Sequence, residues 1–219
     1  MVQTGNELSN FGGGLNMEQK ENRVVLRGTV AGTAVLSHQV HGIDFYRFPL
    51  AVPRLSGRED VLNILCPGPA ETLPDRGAYV EITGEVRSFN NRSGVGSRLV
   101  ITVLARSIVP GQGAPCNQVF LQGTLCKPPT LRRTPLGREI CDLLLAVNRR
   151  YRRADYLPCI AWGALAHQCS QMETRDCLRL EGRLQSRLYR KVIDETVQER
   201  TAFEISLSAL LPCQDDPSA

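Results

Sequence analysis

Asn22-Arg-Val-Val-Leu-Arg-Gly28-Thr29 returns as Asn117-Gln-Val-Phe-Leu-Gln-Gly123-Thr124, 95 residues further along the chain. Later in the repeat, and after three extra residues in the second copy, Gly84-x-x-x-Ser88 corresponds to Gly182-x-x-x-Ser186. One register held over this span predicts that the chain contains the same module twice. Differences between the two copies therefore become informative about function.

The repeat predicts the domain organisation of the 219 residues. Each module is large enough to bury a small core of its own. The glycine-rich start of the chain and its polar end are typical of flexible termini. The predicted parts are an arm at 1–21, a first module at 22–110, a linker at 111–116, a second module at 117–212 and a short tail at 213–219.

Charge and composition limit the function classes. The net charge is +4, with +3 on residues 22–110 and +5 on residues 117–212. A mildly basic body fits a polyanion partner but does not by itself indicate one. No apolar run is long enough to span a membrane, and the polar N-terminus has no signal-type segment. The sequence predicts a soluble, intracellular protein.

The cysteines and histidines do not indicate a cofactor. The eight cysteines contain no CxxC pair, so reduced structural thiols are the favoured interpretation. His167, Cys169 and Cys177 are a weak candidate for a metal site, and no metal or other cofactor is predicted. No phosphate-binding glycine loop and no nucleophile elbow occur. Asp60 and Asp155 recur at the starts of strands, which fits loop geometry better than acid–base chemistry. The chain is therefore not expected to be an enzyme.

Turn-bounded apolar runs predict five strands in each module, with a short helix in the second and a Pro-rich turn or helical stub around 69–73 in the first. This is the order of elements in an OB-fold, so the fold class is all-β, with two tandem five-stranded OB-fold barrels. The helix at Ala164–Gln171 falls between the third and fourth strands. The predicted strands are 23–31, 43–52, 61–66, 78–88 and 98–108, then 118–126, 139–148, 156–162, 177–188 and 199–210.

The second module resembles the bacterial single-stranded DNA-binding protein family, and the first module resembles it more faintly. The resemblance implies OB-folds, an assembly of four such modules, and non-catalytic binding of single strands without sequence preference. It further implies a location in the bacterial cytoplasm, in association with the nucleoid. It also implies an acidic tail with a Pro-Phe-type tip, whereas this sequence ends Asp-Asp-Pro-Ser-Ala219, so recruitment of partners by that route is not expected. The matching residues are Asn117-x-Val-x-Leu-x-Gly123, Leu131-Arg-Arg-Thr134-x-x-Gly137, Leu144-Leu-Ala-Val147, Tyr156…Ala161-Trp162-Gly163 and Leu180-x-Gly-Arg-Leu-Gln-Ser-Arg187-x-Tyr189.

Period-two alternation places the binding candidates on the outer surface of the second barrel. Small apolar residues of the third strand (Leu157, Cys159, Ala161) face inward, which leaves Tyr156 and Trp162 facing outward with Pro158 and Ile160. Bases stack on aromatic faces while arginine and lysine follow the phosphates. The predicted DNA contacts are Tyr151, Tyr156, Trp162, Tyr189, Arg132, Arg133, Arg149, Arg150, Arg152, Arg153, Arg179, Arg183, Arg187, Arg190 and Lys191.

The first module lacks these features. Val61 and Pro67 stand where the second has Tyr156 and Trp162, and Glu81 and Glu85 replace two arginines of the fourth strand. Acidic side chains beside a nucleic-acid track oppose binding by repulsion. Its own aromatics, such as Phe45 and Phe48, are interpreted as core or subunit-contact residues. This module is predicted to be mainly architectural, with weak or partial strand contact. A platform for docking partners is the alternative.

The leading hypothesis is a homodimer that binds single-stranded DNA and protects it in replication, repair or recombination. Two modules per chain make a dimer the simplest route to four OB units. One alternative is a primosomal replication-type accessory protein that mainly bridges partners. The others are a protein that prefers RNA and a scaffold that binds no strand; ordinary core or surface roles for the aromatics and arginines also stay open.

Overall fold

The computed structural model describes residues 22–91, 98–149, 153–193 and 196–213, without the side chains of 190–193, 196–198 and 200. Strands dominate, and both barrels follow one order of elements, apart from a 3₁₀ turn at Ala70–Thr72 in the first where the second has a helix. The first barrel has β1 (Asn22–Val30), β2 (Val35–Val40), β3 (Ile43–Pro53), β4 (Glu59–Pro67), β5 (Tyr79–Asn90) and β6 (Leu99–Pro110). The second has β7 (Cys116–Leu125), β8 (Thr130–Arg133), β9 (Glu139–Arg149), β10 (Arg153–Trp162), α1 (Ala164–Ser170), β11 (Cys177–Ile193) and β12 (Thr196–Leu211).

The all-β tandem OB-fold is confirmed, with one addition. All ten predicted strands and the helix are present, but β2 and β8 add a short strand to each barrel. Each pairs with the following strand, β2 with β3 and β8 with β9. Every residue of both strands is exposed. Burial therefore imposes no alternation on them, and the sequence carries no period-two signal there.

The barrels close through the same contacts in both copies. The end of the first strand crosses to the second long strand, with Thr29 opposite Ala51 and Thr124 opposite Ala146. At that crossing, a Cβ added to Gly28 would lie 2.3 Å from the carbonyl oxygen of Ala51. Gly123 meets the carbonyl of Ala146 at the same 2.3 Å. Glycine occupies this position in both copies because the backbone of the opposite strand packs directly against its Cα.

Alternation correctly predicts the inward residues of β10 and β11. Leu157, Cys159 and Ala161 are buried, and on β11 Leu178, Leu180 and Leu184 are buried in the same way. Ile160 was expected on the outer surface, yet only 4 % of it is exposed. It lies on the outward face of β10, beneath the groove described below.

A pairing that the repeat alone does not predict joins the two barrels. β1 and β7 run antiparallel as neighbours, with Val24 opposite Val119. Val119 is the counterpart of Val24 in the repeat, so a pseudo-twofold axis passes between them. This places the two barrels in one continuous sheet of twelve strands.

Two buried aspartates form hydrogen bonds between the barrels. Asp60, 1 % exposed, accepts the backbone N–H of Ser186 at 2.8 Å, and Asp155, fully buried, accepts that of Ser88 at 2.7 Å. The serine hydroxyls also accept hydrogen bonds from the opposite barrel. Oγ of Ser88 accepts the backbone N–H of Tyr156 at 2.7 Å, and Oγ of Ser186 accepts that of Val61 at 3.2 Å. Both aspartates thus lie inside strands and hold the junction, rather than shaping loops as expected.

The prediction that all cysteines are reduced thiols is wrong for one pair. Cys177, at the start of β11, and Cys213, after β12, form a disulfide with Cα atoms 6.4 Å apart. The two segments are adjacent in the sheet and approach closely enough at that corner to form the bond, although 36 residues separate them in sequence.

Cys169 is buried in the core, and burial raises the pKa of its thiol to about 11. His167, Cys169 and Cys177 therefore form no metal set, and the described residues contain no cluster of three or more His, Cys, Asp or Glu side chains suited to one. No helix in this part of the chain is long and apolar enough to cross a membrane.

Candidate nucleic-acid interface

A groove of about 1240 Å³ lies at the junction of the two barrels. The first barrel contributes the start of β4 and the turn before it. The second contributes β10, β11, β12 and the turn between β8 and β9. The site is thus built by both copies of the repeat.

Trp162 forms the aromatic surface of this groove. It ends β10 opposite Ile140, and 37 % of it is exposed. Ile160, two residues earlier on the same strand, and Phe203 of β12 also line the groove. An indole ring held by a strand against apolar neighbours, with part of its surface open, is suited to stacking on a planar partner.

The charge of the groove is positive, because six arginines line it against two glutamates. Arg58 and Arg138 are exposed, and neither forms an ion pair with a described residue. Arg183 donates to the amide oxygen of Gln185 at 3.4 Å. The remaining charged residues of the lining are Arg54, Arg132, Arg187, Glu59 and Glu204.

Several of the predicted phosphate contacts are already ion-paired. Arg132 binds Asp142, with Nη2 donating to Oδ1 at 3.1 Å. Arg133 binds Glu139 at 3.0 Å, and Arg149 binds Asp155 at 3.3 Å. Pairing with a carboxylate satisfies part of the donor set of each guanidinium, so these three arginines offer less to a phosphate than an unpaired one. Arg179 donates to the backbone carbonyl of Pro212 at 3.3 Å.

The predicted aromatic residues do not all lie together. Tyr156 faces outward and is 51 % exposed, but it lies near the start of β10, whereas Trp162 ends that strand. Six residues of strand separate them by about 20 Å, and Tyr156 is not part of the groove lining. Tyr189 is half-buried, and the guanidinium carbon of Arg187 lies 5.8 Å from the centre of its ring.

The groove therefore contains part of the predicted set and three arginines that the sequence reasoning missed, Arg54, Arg58 and Arg138. Trp162, Arg132, Arg183 and Arg187 line it, while Arg153 is exposed on β10 outside it. Arg58 and Arg138 were missed because each follows a turn glycine in a loop, where no strand alternation indicates direction. Outside the described residues lie Arg150, Tyr151 and Arg152, and the side chains of Arg190 and Lys191.

The first barrel differs from the expectation of exposed anions. Glu81 forms an ion pair with Arg27 at 2.8 Å. Glu85 is paired with Arg87 and, at 3.1 Å, with Arg106. Arginines on the same and neighbouring strands thus compensate both glutamates, which weakens the repulsion inferred from sequence.

The aromatics of the first barrel divide between core and surface. Phe48 is 2 % exposed and belongs to the core, as predicted. Phe45 is half-buried and stacks on His38, with ring centres 4.9 Å apart. On the outward face of β4, Val61 is exposed and Pro67 is half-buried. This face therefore has no aromatic ring at either position that carries one in the second barrel.

Residues 116–211 match the model of the single-strand binding protein family. The second barrel is thus similar to this family along its whole length. A single-stranded DNA-binding protein 2 from Listeria innocua is 33 % identical over 100 residues, which cover 40 % of this chain and 63 % of that protein. Single-stranded DNA-binding protein A of Bacillus subtilis is 38 % identical over 80 residues, covering 33 % and 46 %. The chain thus spans less than two thirds of the length of these relatives.

A solved structure extends the likeness to both barrels. The wild-type single-stranded DNA-binding protein from Thermus aquaticus superposes with a TM-score of 0.67 at 26 % identity. The match covers 90 % of this chain and 94 % of that one. The resemblance to a tandem member of the bacterial family, inferred from sequence, is confirmed.

Proposed function

We propose that this protein binds single-stranded DNA without sequence preference in the junction groove. Trp162 stacks on a base, and Arg183, Arg187 and Arg138 contact the phosphates on either side. The observation that carries the proposal is a partly exposed indole set among a surplus of guanidinium groups in one groove. The names of the relatives, all single-stranded DNA-binding proteins, support the same ligand.

The energetics of such a site explain both its tolerance of sequence and its dependence on salt. Stacking contributes about 1–3 kcal/mol per base, and every base has a π-face. Each phosphate contact releases counterions, so the affinity falls as salt rises. A duplex binds poorly, because its bases are stacked on one another and are not open to Trp162. Binding of this kind involves no chemical step, and its task is to cover exposed strands in replication, repair or recombination.

We also propose that two chains associate into a dimer with four barrels. Val25 of β1 and Phe120 of β7 lie on the side of the central sheet that faces away from the barrel cores, and both are half-buried. An apolar surface next to the pseudo-twofold axis suits a second copy, since closed twofold pairing is the commonest assembly. Light scattering on a size-exclusion column tests this: a mass near 24.2 kDa, that of one chain, would contradict the dimer.

The test of strand binding uses the fact that Trp162 is the only tryptophan. The protein is titrated with a labelled oligo-dT at two salt concentrations while tryptophan emission and strand anisotropy are recorded on the same samples. We expect saturable quenching that weakens with salt and that a duplex of the same length does not produce.

Each other outcome has a distinct meaning. Absence of any anisotropy change would contradict strand binding and favour a scaffold. An anisotropy change without quenching would move the site away from Trp162. Tighter binding of oligo-U than of oligo-dT would make RNA the preferred ligand.

A further inference from the structure

Two turns with the same backbone structure border the groove from opposite barrels. In the first barrel, Arg54-Leu-Ser-Gly-Arg58 connects β3 to β4. The backbone N–H of Arg54 donates to the carbonyl oxygen of Arg58 at 2.7 Å. In the second, Thr134-Pro-Leu-Gly-Arg138 connects β8 to β9, with the corresponding bond at 2.8 Å. Both place a Gly at positive φ directly before the arginine, Gly57 at 79° and Gly137 at 77°. The turns come from different hairpins, so the repeat does not relate them.

The turn of the first barrel is anchored to the second. Nε of Arg54 donates to Asp60 at 2.8 Å, and its Nη2 donates to the backbone carbonyl of Ser186 at 3.0 Å. Ser186 lies on β11, which forms a wall of the groove. The position of the turn over the groove is therefore set by the barrel junction, and Arg54 itself is already bonded.

Arg58 is the cation that this anchored turn presents. It is exposed, lines the groove with Arg138 and Trp162, and forms no ion pair with a described residue. An unpaired guanidinium beside a stacking surface can contact a phosphate without first breaking an internal salt bridge.

We propose that Arg58 of the first barrel contacts a phosphate of the bound strand, so that a strand stacked on Trp162 continues from the second barrel onto the first. The inference rests on the proposed function and extends it to a barrel that lacks aromatic stacking residues on β4. The first barrel then contributes charge to the site but no stacking surface. This division has a measurable signature, because a phosphate contact and a stacked base respond differently to salt and to tryptophan emission.

The experiment compares Arg58→Gln with Arg76→Gln in the full-length protein, using the same labelled oligo-dT. Arg76 belongs to the first barrel, is exposed, and lies outside the groove lining. It therefore controls for the loss of one positive charge. We expect Arg58→Gln to make the negative slope of log association constant against log salt shallower by about 0.7, the value for one phosphate of a single strand. Binding should weaken about five- to tenfold at 50 mM salt. Tryptophan quenching at saturation should stay at its wild-type amplitude.

The affinity of Arg76→Gln for oligo-dT should lie within twofold of that of wild type. Arg58→Lys should restore the wild-type salt slope. An unchanged slope in Arg58→Gln overturns the inference while leaving strand binding itself intact. Equal losses in the two glutamine variants overturn it as well, since they would reflect net charge and not a contact. If the wild-type protein gives no anisotropy change, the proposed function fails first and this inference fails with it.

Discussion

The two barrels share the interactions that hold the chain together and differ in those that face a ligand. Both have a first-strand asparagine that bonds the fourth long strand, Asn22 to Val86 and Asn117 to Leu184. On the outward face of the third long strand the copies part, with Val61 in one and Tyr156 in the other. The copies thus keep a side chain that joins two strands of the same barrel and differ where a side chain faces outward.

The barrels also differ in how they close the corner between the start of the fourth long strand and the end of the fifth. In the second, a disulfide ties Cys177 to Cys213. In the first, two hydrogen bonds hold the equivalent corner. The N–H of Gly111 donates to the carbonyl of Tyr79 at 2.9 Å, and the hydroxyl of Tyr79 donates to the carbonyl of Gly113 at 3.0 Å. One corner is therefore sensitive to reductant and the other is not.

The largest expected effect tests the junction between the barrels. Asp155→Ala removes a fully buried carboxylate that accepts from Arg87, Arg149 and the N–H of Ser88. Breaking a buried ion pair from one side costs about 3–5 kcal/mol, so we expect the free energy of unfolding to fall by that amount in urea denaturation. The counterpart Asp60→Ala leaves one arginine without its partner and should cost less. A loss below about 1 kcal/mol in Asp155→Ala would show that the junction does not need its carboxylate.

The next effect sharpens the contrast between the two corners. Replacing Cys177 and Cys213 by Ser frees a loop of 36 residues, which lowers the free energy of unfolding by about 3–4 kcal/mol in the chain-entropy model. Reductant should lower the melting temperature of the wild type and leave the double variant unchanged. Equal sensitivity of both proteins to reductant would contradict the disulfide.

Binding should separate the aromatic positions of the two barrels. Trp162→Ala removes the stacking surface, and we expect oligo-dT to bind about tenfold or more weakly, since one stacked base contributes about 1–3 kcal/mol. Pro67→Ala, at the equivalent position of the first barrel, should bind as wild type does. The measurement is strand anisotropy, because the Trp162 variant no longer has a tryptophan signal. Equal affinities for the two variants would place stacking elsewhere.

A smaller effect tests whether the junction is symmetric. Ser88→Ala and Ser186→Ala each remove a hydroxyl that accepts a strand N–H of the other barrel, from Tyr156 at 2.7 Å and from Val61 at 3.2 Å. Each should cost about 1 kcal/mol, the net value of one hydrogen bond. Chemical denaturation of both variants checks this, and a cost confined to one of them would mean that the pseudo-twofold relation does not extend to the energetics.

The smallest effect concerns the exposed edge of the second barrel. Hydrogen bonds from His167 and then Arg133 lower the pKa of Glu139 below its usual value. A depressed carboxyl pKa contributes stability that is present above the unfolded-state pKa near 4.5 and is lost as pH falls through the folded-state value. Glu139→Gln should therefore lower the melting temperature slightly at neutral pH, and its curve should converge with that of wild type in acid. Asp44→Asn, the same position in the first barrel, is the comparison.

Much of the fold was predictable, because burial imposes a pattern on the sequence. The inward residues of β10 and β11 follow from alternation, whereas the close approach of two backbones at Gly28 and Gly123 appears only in the structure. The short strands β2 and β8 carried no such pattern. Trp162 was predictable as an outward residue, whereas Arg58 was not, since nothing local distinguishes a turn arginine that borders a groove from one such as Arg76.

The sequence by itself determined the duplicated module, the alternation of its strands and the outward placement of Trp162 and Tyr156. These depend on local periodicity, which a strand translates directly into faces. Only the tertiary structure decided that β1 pairs with β7, that Asp60 and Asp155 hold the junction, and that Trp162 and Arg58 share one groove. Those contacts join residues as many as 126 positions apart, as between Asp60 and Ser186, and their geometry depends on how two finished barrels pack.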